Sequence, residues 1–179
     1  TTFVMDSGER YCMVVDRATG LPMYYPTLFL TTQIRNRGNA FSTTLAAANN
    51  LVLLLRFVDR RGINLEQRFL NKDFFKPHEL DDLRDFAQCK QGKKPLMVPS
   101  KPWLEDATIN TVDNGTQHSR LTTFANYLRW YAMHILKTPE LEVVEQINAM
   151  AEQTKMRRPS KKGRNSDLQD RSLSDVQLD

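Results

Sequence analysis

The stretch T116-QHSRLTTFANYLRWYAMHI-L136 decides the fold. Leu121, Phe124, Ala125, Leu128, Tyr131 and Ala132 recur at three- and four-residue spacing, which puts them on one face of a helix. Polar residues open the segment, with Thr116 or Ser119 the expected N-cap, and the spacing predicts a helix over residues 116–137. A face this apolar must be covered by other elements. Arg120 and Arg129 stand among the aromatics, so the same helix has a polar side to present outward.

Working towards the N-terminus, residues 77–90 repeat the pattern with Leu80, Leu83, Phe86 and Ala87, and Gly92 as terminator. Leu45, Ala48, Val52, Leu55 and Val58 mark a long helix over residues 42–61, capped by Ser42 and stopped by Gly62. Pro26 suits the first turn of a helix reaching Arg37, with Gly38 as its stop. Residues 65–75 read as a short helix plus turn. In front, residues 10–15 and 21–25 have the branched and aromatic content of strands, joined by the turn 16–20. Towards the C-terminus, Pro139 opens a further helix whose stripe is Leu141, Val144, Ile147 and Met150. The predicted fold is mainly α, a four-to-five-helix orthogonal bundle with a short N-terminal β-hairpin. Its expected divisions are the hairpin extension (1–25), a helical body (26–154), a basic linker (155–172) and the start of a further domain (173–179), where the cap-like SLSDVQLD is left incomplete.

Composition bounds the possible functions. The chain has 179 residues, 40% of them hydrophobic and 26% charged, ordinary values for a globular domain with a real core. Cys12 and Cys89 lie far apart with no CxxC and no clustered His, so no metal site is expected, and no cofactor motif is found. Two isolated thiols suit a reducing cytoplasm. The longest uninterrupted apolar run, residues 51–55, is five residues, so no membrane association is expected. The formal net charge of +4 is mild, but its distribution is uneven. Residues 155–164, KMRRPSKKGR, contain six basic residues and no acidic one. Lys155, Arg157, Arg158, Lys161, Lys162 and Arg164 together would give a log K against log salt slope of roughly −5 on duplex DNA.

Two helix starts offer further phosphate contacts, because unpaired N–H groups and the positive dipole end attract anions. One has Arg35, Arg37 and Asn39 leading into Ser42, Thr43 and Thr44; the other has Thr116, His118, Ser119 and Arg120. Capping alone also explains Ser42, Thr116 and Ser119. The Lys-rich loop 91–115 carries Trp103, either to stack on a base or to pin the loop to the core. Trp130 and Met133 fall off the apolar stripe and suit contact with a second protomer or another domain. His78 and His134 read as structural. Glu79, Asp81, Asp82 and Asp85, at one helix start, read as dipole compensation.

The element order and several positions resemble the core-binding (SAM-like) domain of tyrosine recombinases, the phage-integrase family. The run Leu121, Phe124, Leu128, Trp130, Tyr131 is similar to that family's fourth helix. Phe41 through Ser42, Thr43 and Thr44 to Leu51, Leu55 and Phe57 is similar to its second. The resemblance implies sequence-specific duplex DNA binding, helices crossing the major groove, and a clamp closed by a C-terminal catalytic domain of the same polypeptide. It also implies tetramers on DNA for the full-length protein and a bacterial, DNA-associated setting. The family's catalytic arginines, lysine, histidines and nucleophilic tyrosine belong to the further domain. His118, Ser119, Arg120 and Leu121 look like the family's His–x–Leu–Arg box in the wrong register, and no tyrosine follows Tyr131, so this chain is expected to be catalytically inert. The alternative reading is a stand-alone helical interaction or regulatory module with a basic tail.

Overall fold

A computed structural model describes residues 1–90 and 111–160. Two short strands, β1 (Thr2–Val4) and β2 (Arg10–Cys12), pair antiparallel with Phe3 opposite Tyr11. The main chain then runs through α1 (Tyr24–Phe29), which continues as a π turn (Leu30–Ile34) and a 3₁₀ turn (Arg35–Arg37), then α2 (Phe41–Arg60) and α3 (Leu65–Leu70). The rest of the bundle is α4 (Pro77–Gln88), α5 (Asn114–Leu136) and α6 (Leu141–Met156). The protein is mainly helical with an N-terminal hairpin, as its periodicities predict.

The hairpin is not the one expected. Only residues 10–12 of the first expected strand join the sheet, and their partner is the N-terminal segment, through a turn closed by the Met5 N–H on the Glu9 carbonyl at 2.8 Å. The turn 16–20 does form, with the Asp16 carboxylate accepting the Ala18 N–H at 2.7 Å and Gly20 at φ +72°. Its flanks share only the bridge Val15–Pro22. Pro22 has no N–H to extend a ladder, and Tyr24 and Tyr25 go into α1 instead of a strand.

α1 loosens into its π turn where Thr31 and Thr32 donate their hydroxyls to the Thr27 and Leu28 carbonyls, competing with the backbone ladder. Gly38 ends the run in the left-handed conformation, as expected. α2 begins one residue before Ser42. Ala40 is its N-cap and no side chain caps it, so Ser42 is a helical residue. The most deeply buried α2 positions include Leu51, Leu54 and Phe57; Leu45, Val52 and Leu55 of the expected stripe are half-buried. Leu45 and Val52 line a small cavity under the hairpin with Cys12 and Val14. α2 therefore has two apolar faces, one for the bundle and one for the hairpin. By length and composition, with a mean hydropathy of 1.4, α2 is apolar enough to cross a membrane, and its apolar residues are used in the core.

α5 is the central element. Every expected core residue on it is buried, and Tyr127 joins them. Its cap is Asp113, whose carboxylate accepts the Thr116 N–H at 3.0 Å and the Thr116 hydroxyl at 2.6 Å, so neither Thr116 nor Ser119 is the N-cap. α1 runs against α5, with Tyr25 on Tyr131 and Phe29 on Tyr127 at ring distances of 4.9 and 5.3 Å. α6 also runs against it: Arg129 bonds Asn148, and Arg158 bonds Thr122. Val143, Ile147, Met150, Ala151 and Thr154 are the buried face of α6, while Leu141, expected inside, is exposed.

Arg68 ties α3 to α4. Its guanidinium donates to both Glu79 carboxylate oxygens at 2.7 Å and to the Asp73 carbonyl at 3.0 Å, and it lies over the Phe75 ring at 4.9 Å. Glu79 also accepts the Lys76 N–H at 2.8 Å, so it caps α4 as well as pairing. Burial alone would raise the Glu79 pKa; the bonds from Arg68 and Lys76 outweigh it and hold the carboxyl below the ordinary glutamate value. A depressed folded-state pKa gives stability that is present above the unfolded value, about 4.3, and is lost as pH falls through the folded one. Urea unfolding followed from pH 7 down through pH 4 is expected to show an acid loss that Glu79→Gln removes in part. Leu51→Ala is expected to cost about 2–5 kcal/mol in the same assay, and Leu45→Ala less, because its site can collapse against the hairpin.

Candidate nucleic-acid interface

With the apolar face of α5 turned inward, its solvent side carries Ser119, Thr122, Thr123, Asn126 and Arg129, a stripe about 15 Å long at 1.5 Å per residue. Neighbouring helices add polar groups along it. From α2, the Asn50 amide donates to the Thr123 hydroxyl at 3.0 Å and reaches Ser119 at 3.4 Å. Because α1 is antiparallel to α5, its end brings Gln33 and Arg37 into one cleft of 330 Å³ with Asn126, Arg129, Trp130 and Met133. Because α6 is antiparallel too, its end brings Lys155 and Arg158 to the first half of α5. Arg129 donates to Asn148 at 2.7 Å, and Arg158 to Thr122 at 3.3 Å. Glu152 sits among these cations: the bond and charge of Lys155, then the charges of Arg158 and Arg129, hold its carboxyl below the usual range. The patch thus combines Arg37, Arg129, Lys155 and Arg158 with short hydroxyl and amide side chains, and Lys155, Arg158 and Arg129 surround the Glu152 carboxylate.

The sequence-predicted residues divide into those the fold leaves at the surface and those it uses internally. Ser42, Thr43 and Ser119 are exposed. Arg37 is exposed and bonds Gln33 at 3.0 Å. His118 is half-buried, its carbonyl accepting the Thr122 hydroxyl at 2.7 Å. Thr44 is buried at 4% exposure and is not available to a surface ligand. Asn39 donates to the Ile34 carbonyl at 2.9 Å, completing the end of the α1 run. Arg35 forms a two-point ion pair with Glu9 and lies over the Tyr11 ring at 5.2 Å, binding hairpin to helix.

Arg120 does not point to a ligand. Its guanidinium donates to the Ala87 and Cys89 carbonyls at 2.7 and 2.9 Å, satisfying acceptors left open at the end of α4. Burial pulls its pKa below the ordinary arginine value, Asp113 and Cys89 pulling the other way. Arg157 is likewise internal: it bonds Asp81 at 2.8 Å, its own Gln153 carbonyl at 2.9 Å and the Pro77 carbonyl at 3.0 Å. The expected linker therefore begins later than Lys155, because α6 continues to Met156 and Arg157 staples it to α4. Lys161, Lys162 and Arg164, Trp103 and the segment 173–179 lie outside the described residues.

The acidic group is consumed in pairing: Asp81 with Arg157, Asp82 with Arg61 at 2.8 Å, Asp85 with Arg84 at 2.8 Å, besides Glu79 with Arg68. Only Glu79 lies in the first turn of α4, so cross-element pairing, more than dipole compensation, accounts for the cluster. Trp130 and Met133 are half-buried; Trp130 packs on Phe29 at 5.4 Å and stacks on His134 at 5.0 Å, and both line the cleft with Arg37 and Arg129. The sequence reading passed over Asn50, Thr122, Thr123, Asn126 and Asn148. The signal for the α5 members was the polar spacing 119, 122/123, 126, 129, opposite the apolar stripe.

Comparison of this chain with protein-family models, curated proteins and solved structures gives no match.

Removing Arg120 leaves two carbonyls at the end of α4 without their charged donor. Arg120→Ala is expected to lower unfolding free energy by about 1.5–3 kcal/mol in urea denaturation, the range for a charge-assisted bond.

Proposed function

We propose that this chain binds duplex DNA along the solvent stripe of α5, as the DNA-binding arm of a tyrosine-recombinase-like protein whose catalytic domain grips the opposite face. The observation that carries the reading is the convergence of Arg37, Arg129, Lys155 and Arg158 on one helix face rich in Ser, Thr and Asn. Those residue types divide the work of DNA recognition. Cations and hydroxyls hold phosphates and set register, while Arg and Asn read base edges, Arg on guanine N7 and O6, Asn on adenine N6 and N7. A single α-helix fits the major groove. In this reading Arg129 and Asn126, midway along the stripe, are the base readers, and Arg158, Lys155 and Arg37 are the phosphate contacts. In this reading DNA breakage and joining belong to the catalytic domain that the resemblance implies.

Fluorescence anisotropy on a labelled random duplex, titrated with salt, tests the reading. Three phosphate contacts give a log–log slope of roughly −2.7, and each of Lys155→Gln and Arg158→Gln is expected to reduce its magnitude by about 0.9. Arg120→Gln, whose side chain faces α4, is expected to leave the slope unchanged. Failure of the intact chain to bind at low salt would sink the DNA reading in favour of a protein-interaction module.

A further inference from the structure

Away from the cationic stripe, the start of α1, the end of α2, the start of α3 and the second half of α5 enclose a cleft of 460 Å³, within the size range of small-molecule sites. Its wall includes Tyr25, Tyr127 and Tyr131, with apolar surface from Leu55, Val58 and Ile63. Tyr127 and Tyr131 stack in parallel at 5.6 Å with 5° between rings, and Tyr25 meets Tyr131 edge-on at 4.9 Å.

Two features of this cleft are unresolved by the fold. Tyr127 and Tyr131 are only 2% and 6% exposed, yet neither hydroxyl has a hydrogen-bond partner among the described residues, and both side chains line the cavity. The rings are buried but the two hydroxyl oxygens open into the cleft, since no side-chain polar atom closed to solvent among the described residues lacks a partner. Asp59 and Glu66 also line the cleft; among the described residues they have no ion-pair partner, and no Lys, Arg or His lies in the wall. Burial first, and then the neighbouring charge of Glu66, push the Tyr131 phenol up; burial does the same for Tyr127. Both phenols are neutral at physiological pH and keep lone pairs free to accept.

An anion would meet two carboxylates here and no cation. A purely apolar guest would leave the hydroxyls and carboxylates without partners. A positively charged group carrying N–H donors answers every feature. An ammonium has three donors for phenol and carboxylate oxygens, aromatic walls attract cations, and an aliphatic chain fits against Leu55, Val58 and Ile63. We infer that this cleft binds an alkylammonium group, presented either by a free amine or by a lysine side chain of a peptide.

Isothermal titration of the intact chain with butylammonium, with 1-butanol as its neutral counterpart, is the test. Saturable binding of butylammonium, at least tenfold tighter than of butanol, is expected. Asp59 and Glu66 are both exposed, so Asp59→Asn/Glu66→Gln should fold normally, as circular dichroism will report, and weaken the amine at least tenfold. Tyr131→Phe, which keeps the ring and removes the hydroxyl, provides a second variant expected to weaken it. Parallel titrations with N-acetyl-lysine amide and N-acetyl-norleucine amide separate the sources. Tighter binding of the lysine compound than of butylammonium assigns the site to a peptide side chain, and the reverse assigns it to a free amine. Equal binding of butylammonium and butanol, no saturable binding of either cation, or full affinity in the double carboxylate variant overturns the inference. None of the substituted residues belongs to the α5 stripe, so the outcome is independent of the DNA reading.

Discussion

The burial of α5 is the constraint on which the rest of the fold depends. Its stripe from Leu121 through Phe124 and Leu128 to Ala132 is closed to solvent, with α1, α2, α3, α4 and α6 all packed against it. Most of the stability of a helix in a protein comes from such a buried face and not from propensity. Covering one helix with five others leaves it little free surface. The polar strip from Ser119 to Arg129 is therefore a selected remainder: the one side of α5 where side chains meet solvent, bordered by the helix ends that its neighbours bring alongside. The antiparallel sense of α1 and α6 delivers those ends, and with them Arg37, Lys155 and Arg158.

Holding five helices on one requires that polar ends between them be satisfied, and arginine is the residue the chain uses for it. Arg68 joins α3 to α4, Arg120 closes the end of α4 onto α5, Arg157 joins α6 to α4, and Arg35 fastens the hairpin to α1. A planar fork with five donors serves several carbonyls or a two-oxygen carboxylate at once, which a lysine does not. Half-buried, these cations are spent on neighbours a few ångströms away. Sequence charge consequently overstates what a distant polyanion feels, and the residues that matter for long-range attraction are the smaller number left at the surface.

That distinction marks where the sequence was legible. The α5 stripe was readable because period 3.6 over more than five turns admits one solution, and all six residues it nominated are buried. On α2, Ala, Leu and Val crowd both sides, so periodicity named Ala48 and Val58, which are buried, together with the hairpin-facing Leu45 and Val52, and missed Leu51, Leu54 and Phe57 on the bundle side. Caps were misassigned at Ser42 and Thr116 for a related reason: several short polar residues lie together at each helix start, and only backbone angles decide which is outside the helix. The hairpin slipped because pairing is a long-range choice; Pro22 weakened the local candidate and residues 2–4 provided the better partner. The basic run at residues 155–164 looked like a tether because nothing local shows that Arg157 meets Asp81, 76 positions away in the chain. The tyrosine cleft was invisible for the same reason, since its wall is assembled from four elements.

The electrostatic consequence is a helix with two unlike neighbourhoods. Along its outer stripe, α5 gathers cations from α1 and α6; on the side of Tyr127 and Tyr131 it faces Asp59 and Glu66, with no cation in the wall among the described residues. Screening at physiological salt acts over about 8 Å, so charges on the two sides of the bundle are felt locally and each patch can select its own sign of ligand. The rings of Tyr127 and Tyr131 are buried in the core, and both side chains line the cleft that Asp59 and Glu66 share. A polyanion on the stripe and an ammonium in the cleft would therefore not compete for charge.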